Sequence, residues 1–135
     1  MIVAFGTDEV TPVTEEILAD LANLGHEVLV VANPLRWAEA GRAVGEAVAG
    51  GHADVGVVFC FTGTGVTMAA NKVPGVRAAL CFDVETARGA RRWNDANVVA
   101  LSLRVTGTEL AHETVDAFLA TSPDGSEADQ IALLS

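Results

Sequence analysis

Short apolar runs alternate with helical segments along the whole chain. Five runs rich in β-branched residues predict strands over residues 2–5, 27–32, 55–60, 76–82 and 97–101. The segments between and after them have apolar residues at helical spacing and predict helices over 11–23, 37–49, 66–72, 83–92 and 108–120. Alternating strands and helices predict one three-layer α/β domain around a parallel sheet, with its strands buried on both faces.

The strongest local signal lies where the third strand meets the following helix. Cys60 ends the strand, and residues 61–65, Phe61-Thr62-Gly63-Thr64-Gly65, form what we call the glycine turn. Glycines let the backbone turn sharply with N–H groups pointing inward, and the helix N-terminus adds positive potential. Such a turn suits a phosphate or a developing enediolate oxygen. The alternative is a tight turn in which glycine meets only a steric need.

Cys60 and Asp8 are the candidate proton-transfer groups near this turn. A helix N-terminus stabilises a thiolate, which can move a proton between adjacent carbons. Asp8 follows the first strand, and the ends of strands one and three can be neighbours where a doubly wound sheet reverses its strand order and binds ligands. The alternatives are a small buried hydrophobe for Cys60 and a capping residue for Asp8. Cys81, which no glycine turn follows, is predicted to be structural.

Other candidates are weaker. Trp37 and Trp93 lie near helix ends on the predicted ligand side, where either would wall a pocket. Arg88, Arg91 and Arg92 form the one positive cluster, which is typical of a solvated helix face. The three histidines lie away from the predicted site, and the chain has no metal-ligand spacing. We therefore expect neither a hydrolase triad nor a metal or other cofactor.

Composition narrows the possible partners and compartment. The formal net charge of −10 disfavours nucleic acid and anionic membrane surfaces. Two cysteines with no export signal predict free thiols in a reducing, cytoplasmic compartment. The apolar runs are too short to span a bilayer, so we expect no membrane partner.

Several segments match a known family in one register from residue 1 to about residue 120. Residues 69–81, AANKVPGVRAALC, resemble the segment after the active-site turn of the ribose-5-phosphate isomerase type B and galactose-6-phosphate isomerase family. Residues 86–88, 94–101, 104–107 and 109–111 are similar to the segments that follow. The resemblance implies a Rossmann-like domain over 1–120 with a five-stranded parallel sheet in the order 2-1-3-5-4. It leaves a tail, 121–135, packed on the same domain or on a partner subunit.

The resemblance also implies an activity. The family interconverts aldose and ketose sugar phosphates through an enediol, without a metal, as dimers whose sites borrow residues from the partner subunit. Cys60 matches the base of one branch, whereas the other branch carries Glu at the position of Val66. Thr62 and Asp8 match residues that handle the hydroxyls and ring oxygen of the substrate, and Asn94 matches an asparagine that contacts it. The amides of the glycine turn would hold the enediolate.

Other positions depart from the family pattern. Glu9 and Trp93 stand where the family has histidines, the second of which would open the sugar ring. Phe61 stands for the first glycine after the cysteine, and Arg36-Trp37-Ala38 for an Asp-Tyr-Pro motif.

The C-terminal arginines that bind phosphate in the family are also missing, since residues 124–131 read DGSEADQI. Each charge-assisted partner of a phosphate is worth about 1.5–3 kcal/mol, so their loss predicts much weaker phosphate binding. Arg36 and Arg88 are candidate replacements.

The sequence thus favours an aldose–ketose isomerase with Cys60 as base and a changed substrate, a sugar phosphate or a less anionic hydroxy-carbonyl compound. Its predicted substrate-binding residues are Glu9, Arg36, Trp37, Phe61, Gly63, Thr64, Gly65, Trp93 and Asn94. The main alternative, favoured by Glu9, Trp93 and Ser126, is a non-catalytic binding or subunit protein on the same fold. A hydrolase or transferase with Cys60 as nucleophile is a third, disfavoured because no histidine is placed to activate the thiol.

Overall fold

The computed structural model describes residues 1–134 and contains a five-stranded, all-parallel sheet. The strands are β1 (Ile2–Thr7), β2 (Glu27–Ala32), β3 (Val55–Cys60), β4 (Ala78–Leu80) and β5 (Val98–Ser102). Their order across the sheet is β2-β1-β3-β5-β4, with β3 paired to β1 on one side and β5 on the other. The predicted architecture and strand order are confirmed.

Helices cover both faces of the sheet. They are α1 (Pro12–Asn23), α2 (Trp37–Ala49), α3 (Thr64–Asn71), α4 (Val84–Asn94) and α5 (Thr108–Ala120), followed by the short α6 (Ala128–Ile131) and a 3₁₀ helix (Ala132–Leu134). Helices α1, α4 and α5 enclose one apolar core, and α2 and α3 enclose the other. Within residues 1–134, no helix is both long enough and apolar enough to cross a bilayer.

Three boundaries differ from the sequence prediction for physical reasons. Strand β1 continues to Thr7, because Thr7 still pairs with Phe59 of β3. Helix α3 begins at Thr64, two residues early, because Gly63 adopts a left-handed φ of 80° and turns the chain directly into the helix. Strand β4 is shorter than predicted, because at this edge of the sheet only β5 pairs with it.

The prediction that every strand is buried on both faces is wrong for β2. Leu29 and Val30 are 37% and 48% exposed, because β2 is the other edge strand and the helices do not cover it fully. Central strand β3, in contrast, is buried along its whole length. The apolar run over residues 28–32 of β2 therefore did not report the position of this strand in the sheet.

Close contact between α2 and α3 fixes the helix that follows the glycine turn. A Cβ atom on Gly41 would lie 2.6 Å from the carbonyl oxygen of Val66 and 2.7 Å from the Cβ of Ala69. Only glycine allows the two helices to approach this closely. Helix α3 is thereby held against α2 while its N-terminus faces the end of the sheet.

On the opposite face, α1 and α5 are joined by a histidine–carboxylate cluster. The Nδ1 atom of His112 lies 2.9 Å from Oδ2 of Asp20, and its Nε2 lies 3.7 Å from Oε2 of Glu16. The hydrogen bond with Asp20 raises the pKa of His112 above its usual value of 6.5, although partial burial opposes it. Burial and the charge of Asp20 also raise the pKa of the neighbouring Asp116.

This cluster predicts a pH-dependent stability. Because the folded-state pKa of His112 lies above the unfolded one, protonated His112 stabilises the fold fully below about pH 6.5 and less as pH rises through the folded-state pKa. We expect the free energy of unfolding to fall by about 0.5–1 kcal/mol between about pH 6 and about pH 9. Urea unfolding at several pH values measures this. His112→Gln should flatten the curve and His52→Gln, at an exposed turn, should not; equal slopes in all three proteins would contradict the assignment.

Candidate active site

The candidate site is a cleft at the carboxyl ends of β1 and β3, where the order of the strands reverses. Its volume is about 420 Å³. The lining residues come from the loop after β1, the start of α2, the end of β3, the glycine turn and α3: Asp8, Trp37, Cys60, Phe61, Thr62, Thr64, Gly65 and Met68. Ligands of doubly wound sheets bind at this kind of crevice.

The Cys60 sulfur lies at the bottom of the cleft beside the glycine turn. The residue is only 4% exposed, yet it lines the cleft, and its Sγ accepts a hydrogen bond of 3.2 Å from the backbone N–H of Gly63. A Cβ atom on Gly63 would lie 2.5 Å from Cδ1 of Leu80, so glycine is also sterically required. The steric interpretation of this glycine is therefore correct, and its N–H also contacts the candidate base.

The N-terminus of α3 leaves backbone donors available at the cleft. Gly63, its N-cap residue, offers no side chain to the first turn. Thr67 is the first residue of α3 whose N–H bonds back along the helix, to the carbonyl of Gly63. The N–H groups of Thr64, Gly65 and Val66 come before it and have no acceptor among the described residues. The hydroxyl oxygens of Thr62 and Thr64 lie 2.8 Å apart at the rim. This end of α3 carries the positive potential that favours a negative oxygen.

Asp8 lies across the cleft from this helix end, held by its position after β1. Its backbone N–H donates to the carbonyl of Phe59, 3.2 Å away. One carboxylate oxygen, Oδ1, is buried and has no hydrogen-bond partner in residues 1–134. Burial, and then the negative charge of Glu9, raise the pKa of Asp8. The exposed Glu9 is fixed through its backbone, which both donates to and accepts from the hydroxyl of Thr7.

Apolar side chains form the outer wall of the cleft. Trp37, Phe61 and Met68 line it and are 47%, 58% and 63% exposed. The Trp37 ring lies against the backbone of Gly65, where a Cβ atom would come within 2.7 Å of ring atom Cε3. Met68 was missed by sequence reasoning, although its position one helical turn after Thr64 would have placed it on the same face.

The predicted arginine replacements do not line the cleft. Arg36 is the exposed N-cap residue of α2, Arg88 pairs with Glu85 on α4, and neither contributes to the lining of the cleft. The half-buried Arg91 packs over the ring of Phe118 and donates to the carbonyl of Ala96, so it is structural. The charged side chain among the described lining residues is therefore the carboxylate of Asp8.

Comparison with known proteins assigns the chain to a family. The model of the ribose/galactose isomerase family matches residues 3–133. The chain belongs to the ribose/galactose isomerase family. The family assignment made from the sequence is confirmed.

Individual members of the ribose/galactose isomerase family align over most of the chain. Subunit LacB of galactose-6-phosphate isomerase from Clostridium acetobutylicum is 40% identical over 124 residues, covering 88% of this chain and 72% of the relative. Ribose-5-phosphate isomerase B of Escherichia coli is 38% identical over 136 aligned positions, covering 95% and 89%. The structure of ribose-5-phosphate isomerase B from Clostridium thermocellum superposes with a TM-score of 0.94 at 37% identity, covering 99% of this chain and 95% of that one.

Trp93 and Asn94, which the sequence analysis predicted to bind substrate, lie away from this cleft. Helix α4 runs back from the carboxyl end of β4 to the amino end of β5. Its last turn therefore lies at the amino ends of the strands, opposite the cleft. Arg77, which precedes β4, donates to the carbonyl of Asp95 there. The prediction that Trp93 lies on the ligand side of its own chain is therefore wrong.

These two residues instead line a separate groove with the C-terminal segment. This tail groove is formed by Trp93, Asn94, Glu127, Gln130, Ile131 and Leu134. The Trp93 ring folds back on Gly89 of its own helix, where a Cβ atom would come within 2.9 Å of the ring. The tail reaches α4 through a hydrogen bond from the N–H of Asp124 to the carbonyl of Arg92.

Cys81 behaves as the structural thiol that the sequence predicts. It is fully buried in the core on the α1, α4 and α5 face. Burial, followed by the charge of Asp83, raises its pKa to about 11. Among residues 1–134, no group of three or more His, Cys, Asp or Glu side chains is arranged to hold a metal ion.

The two cysteines should therefore differ in reactivity. We expect iodoacetamide to alkylate Cys60 of the folded protein at least about tenfold faster than Cys81 at about pH 8, because Cys60 lines a cleft and Cys81 is buried and remains a thiol. Peptide mass spectrometry after timed quenching measures both rates. In urea the two rates should converge. Equal rates in the folded protein, or faster labelling of Cys81, would show that the cleft does not give access to the sulfur.

Proposed function

We propose that this protein is an aldose–ketose isomerase in which Cys60 is the base and the glycine turn holds an enediolate. The observation that carries this proposal is the hydrogen bond from the Gly63 N–H to the Cys60 sulfur, within a cleft that Asp8 also lines. This hydrogen bond holds the sulfur beside the start of the glycine turn. Membership of an isomerase family supports the same chemistry.

The proposed reaction moves one proton between neighbouring carbons. The Cys60 thiolate removes the proton from the hydroxyl-bearing carbon next to the carbonyl. The electron pair of that C–H bond forms a carbon–carbon double bond, and the carbonyl π electrons move to oxygen, which gives an enediolate. The Cys60 thiol then returns the proton to the other carbon, and a proton passes between the two substrate oxygens.

Backbone donors and two side chains serve these oxygens. The available N–H groups at the start of α3 supply preorganised positive potential for the enediolate, the kind of interaction that contributes most to many enzymes. Asp8 carries the proton from one substrate oxygen to the other, and its raised pKa suits a group that both accepts and donates a proton. The Thr62 hydroxyl, at the rim, bonds a substrate hydroxyl.

We further propose that the substrate is less anionic than a pentose phosphate. The carboxylate of Asp8 lines the cleft, and Trp37, Phe61 and Met68 form its apolar wall; Glu9, the next residue after Asp8, does not line it. A phosphate dianion needs charge-assisted donors, and the described residues that line the cleft include no cation. An uncharged hydroxy-carbonyl compound with an apolar portion fits this lining better.

The active form is proposed to be a homodimer. Within one protomer, the tail groove and the cleft lie at opposite ends of the strands. Trp93 and Asn94 can therefore contact a bound substrate only if one protomer places its tail groove against the cleft of its partner. The exposed apolar wall of the cleft supports this arrangement, because a second protomer would cover it.

The base assignment is tested by solvent exchange. In deuterium oxide, we expect the wild-type protein to introduce deuterium beside the carbonyl of its substrate, and Cys60→Ala to lose at least about 100-fold of this rate, because a positioned base contributes about 10²–10⁴-fold. Proton NMR of a panel of aldoses and ketoses measures the exchange. The panel contains ribose 5-phosphate, galactose 6-phosphate and erythrulose 4-phosphate, which relatives are named for, and their unphosphorylated forms.

Cys81→Ala is the matched control, since it removes the other thiol from a site away from the cleft. It should retain exchange within about twofold of wild type if it folds, as judged by its thermal midpoint. A Cys60→Ala rate equal to that of wild type would reject Cys60 as base. Stabilisation of the wild-type protein by a panel compound without any exchange would instead support the non-catalytic binding protein, for which the low exposure of Cys60 is the favouring observation.

The proposed change of substrate predicts a weak dependence on phosphate. For each pair in the panel, we expect kcat/KM of the phosphorylated sugar to exceed that of the free sugar by no more than about tenfold, because none of the described residues that line the cleft is a cation that could recognise the dianion. The same ratio should change little between about 20 mM and about 300 mM salt. A preference for phosphate of more than about 1000-fold would contradict the proposed substrate and leave the base assignment intact.

A further inference from the structure

The carbonyl group of Phe61, in the glycine turn, is held by two donors from the end of β5. The hydroxyl of Ser102 donates to it at 2.9 Å, and the backbone N–H of Arg104 donates at 2.8 Å. Ser102 is 1% exposed and is the direct register partner of Cys60. The first peptide of the glycine turn is therefore fixed by the neighbouring strand.

The Ser102 hydroxyl can serve only as the donor in this contact. The backbone N–H of Val105 donates to the same hydroxyl oxygen at 3.3 Å, which occupies an acceptor position and leaves the hydroxyl hydrogen for Phe61. One buried hydroxyl thus links the turn after β3 to the turn after β5. Its side chain has no other hydrogen-bond partner in residues 1–134.

The orientation of the Phe61 carbonyl determines the direction of the next N–H. A trans peptide holds its C=O and N–H antiparallel, so the N–H of Thr62 points opposite to the Phe61 carbonyl. That carbonyl points toward β5, and β3 has β1 on its other side. The Thr62 N–H is therefore directed toward the crevice between β3 and β1, and within the described chain it has no acceptor.

We propose that Ser102 is a positioning residue that aims the Thr62 N–H at the oxyanion in the cleft. This inference rests on the proposed function, since it assigns the donor of that site and the group that orients it. Ser102 itself does not line the cleft. It acts through the Phe61–Thr62 peptide. Without the Ser102 hydroxyl, the Phe61 carbonyl would keep only the hydrogen bond from the Arg104 N–H, and the peptide could rotate about that bond.

The test uses backbone NMR with a small enediolate mimic. Glycolohydroxamate carries two adjacent oxygens arranged as in a cis-enediolate and has no phosphate. It is titrated into ¹⁵N-labelled wild type, Ser102→Ala and Thr114→Val. Thr114 is a fully buried hydroxyl on α5 whose removal controls for the loss of a buried polar group.

In wild type we expect the amides of Thr62, Thr64 and Gly65 to shift on titration. In Ser102→Ala the Thr62 shift should disappear while the Thr64 and Gly65 shifts persist, and the Kd should rise about tenfold, as expected for one misaligned hydrogen bond to a charged oxygen. Thr114→Val should match wild type. A purely structural role for Ser102 would weaken all three shifts together or lower the thermal midpoint without selecting Thr62.

Two further variants keep the test decisive if Ser102→Ala folds poorly. Ser102→Thr retains the hydroxyl and should restore the Thr62 shift, whereas Ser102→Cys retains the size but donates weakly and should not. A Thr62 shift and Kd in Ser102→Ala equal to those of wild type would reject the role of Ser102 and leave the isomerase proposal standing. If the amides of the glycine turn do not shift in the wild-type protein, the oxyanion site itself is rejected. The deuterium exchange of Cys60→Ala tests the assignment of the base independently.

Discussion

The pairing of β3 with strands on both sides determines the geometry of the cleft. Because β3 lies between β1 and β5, its last residue, Cys60, ends beside Ser102 on one side and next to the loop that carries Asp8 on the other. A shift of register by one residue would turn the thiol to the opposite face of the sheet. The buried valines and Phe59 that fix this register therefore also fix the chemistry.

The sequence was sufficient for the architecture and for the part of the site that is local in the chain. Alternating apolar strands and helices predicted the layers, and the residues from Cys60 to Gly65 lie together because they are consecutive. Trp93 was misplaced because the helix that follows a strand returns to the amino ends of the strands. Trp93, in the last turn of α4, is therefore far from the carboxyl ends of the strands, where the cleft lies. Ser102 was missed because its hydrogen bond to the Phe61 carbonyl joins two separate elements, which no local pattern reports. Met68, in contrast, has a local signal in its helical spacing from Thr64.

The lining of the cleft combines two opposing electrostatic tendencies. The start of α3 offers positive potential and available N–H donors, whereas the carboxylate of Asp8 and the net charge of −10 repel anions. In the proposed reaction, an enediolate would form only after a neutral substrate has entered, so it would meet the helix end without passing through the repulsive field as an anion. This separation is compatible with a site that stabilises a transient charge and binds a permanent one weakly.

The contact between the Trp37 ring and the bare backbone of Gly65 links two parts of the molecule that would otherwise vary independently. The ring is an aromatic boundary of the cleft, and the glycine belongs to the backbone that would meet the reacting oxygens in the proposed reaction. Enlarging residue 65 would displace the indole, and reshaping the indole would release the loop beneath it. If the proposed function holds, selectivity and turnover are mechanically coupled, and evolution toward a new substrate at position 37 would lower the rate unless the turn adjusted with it.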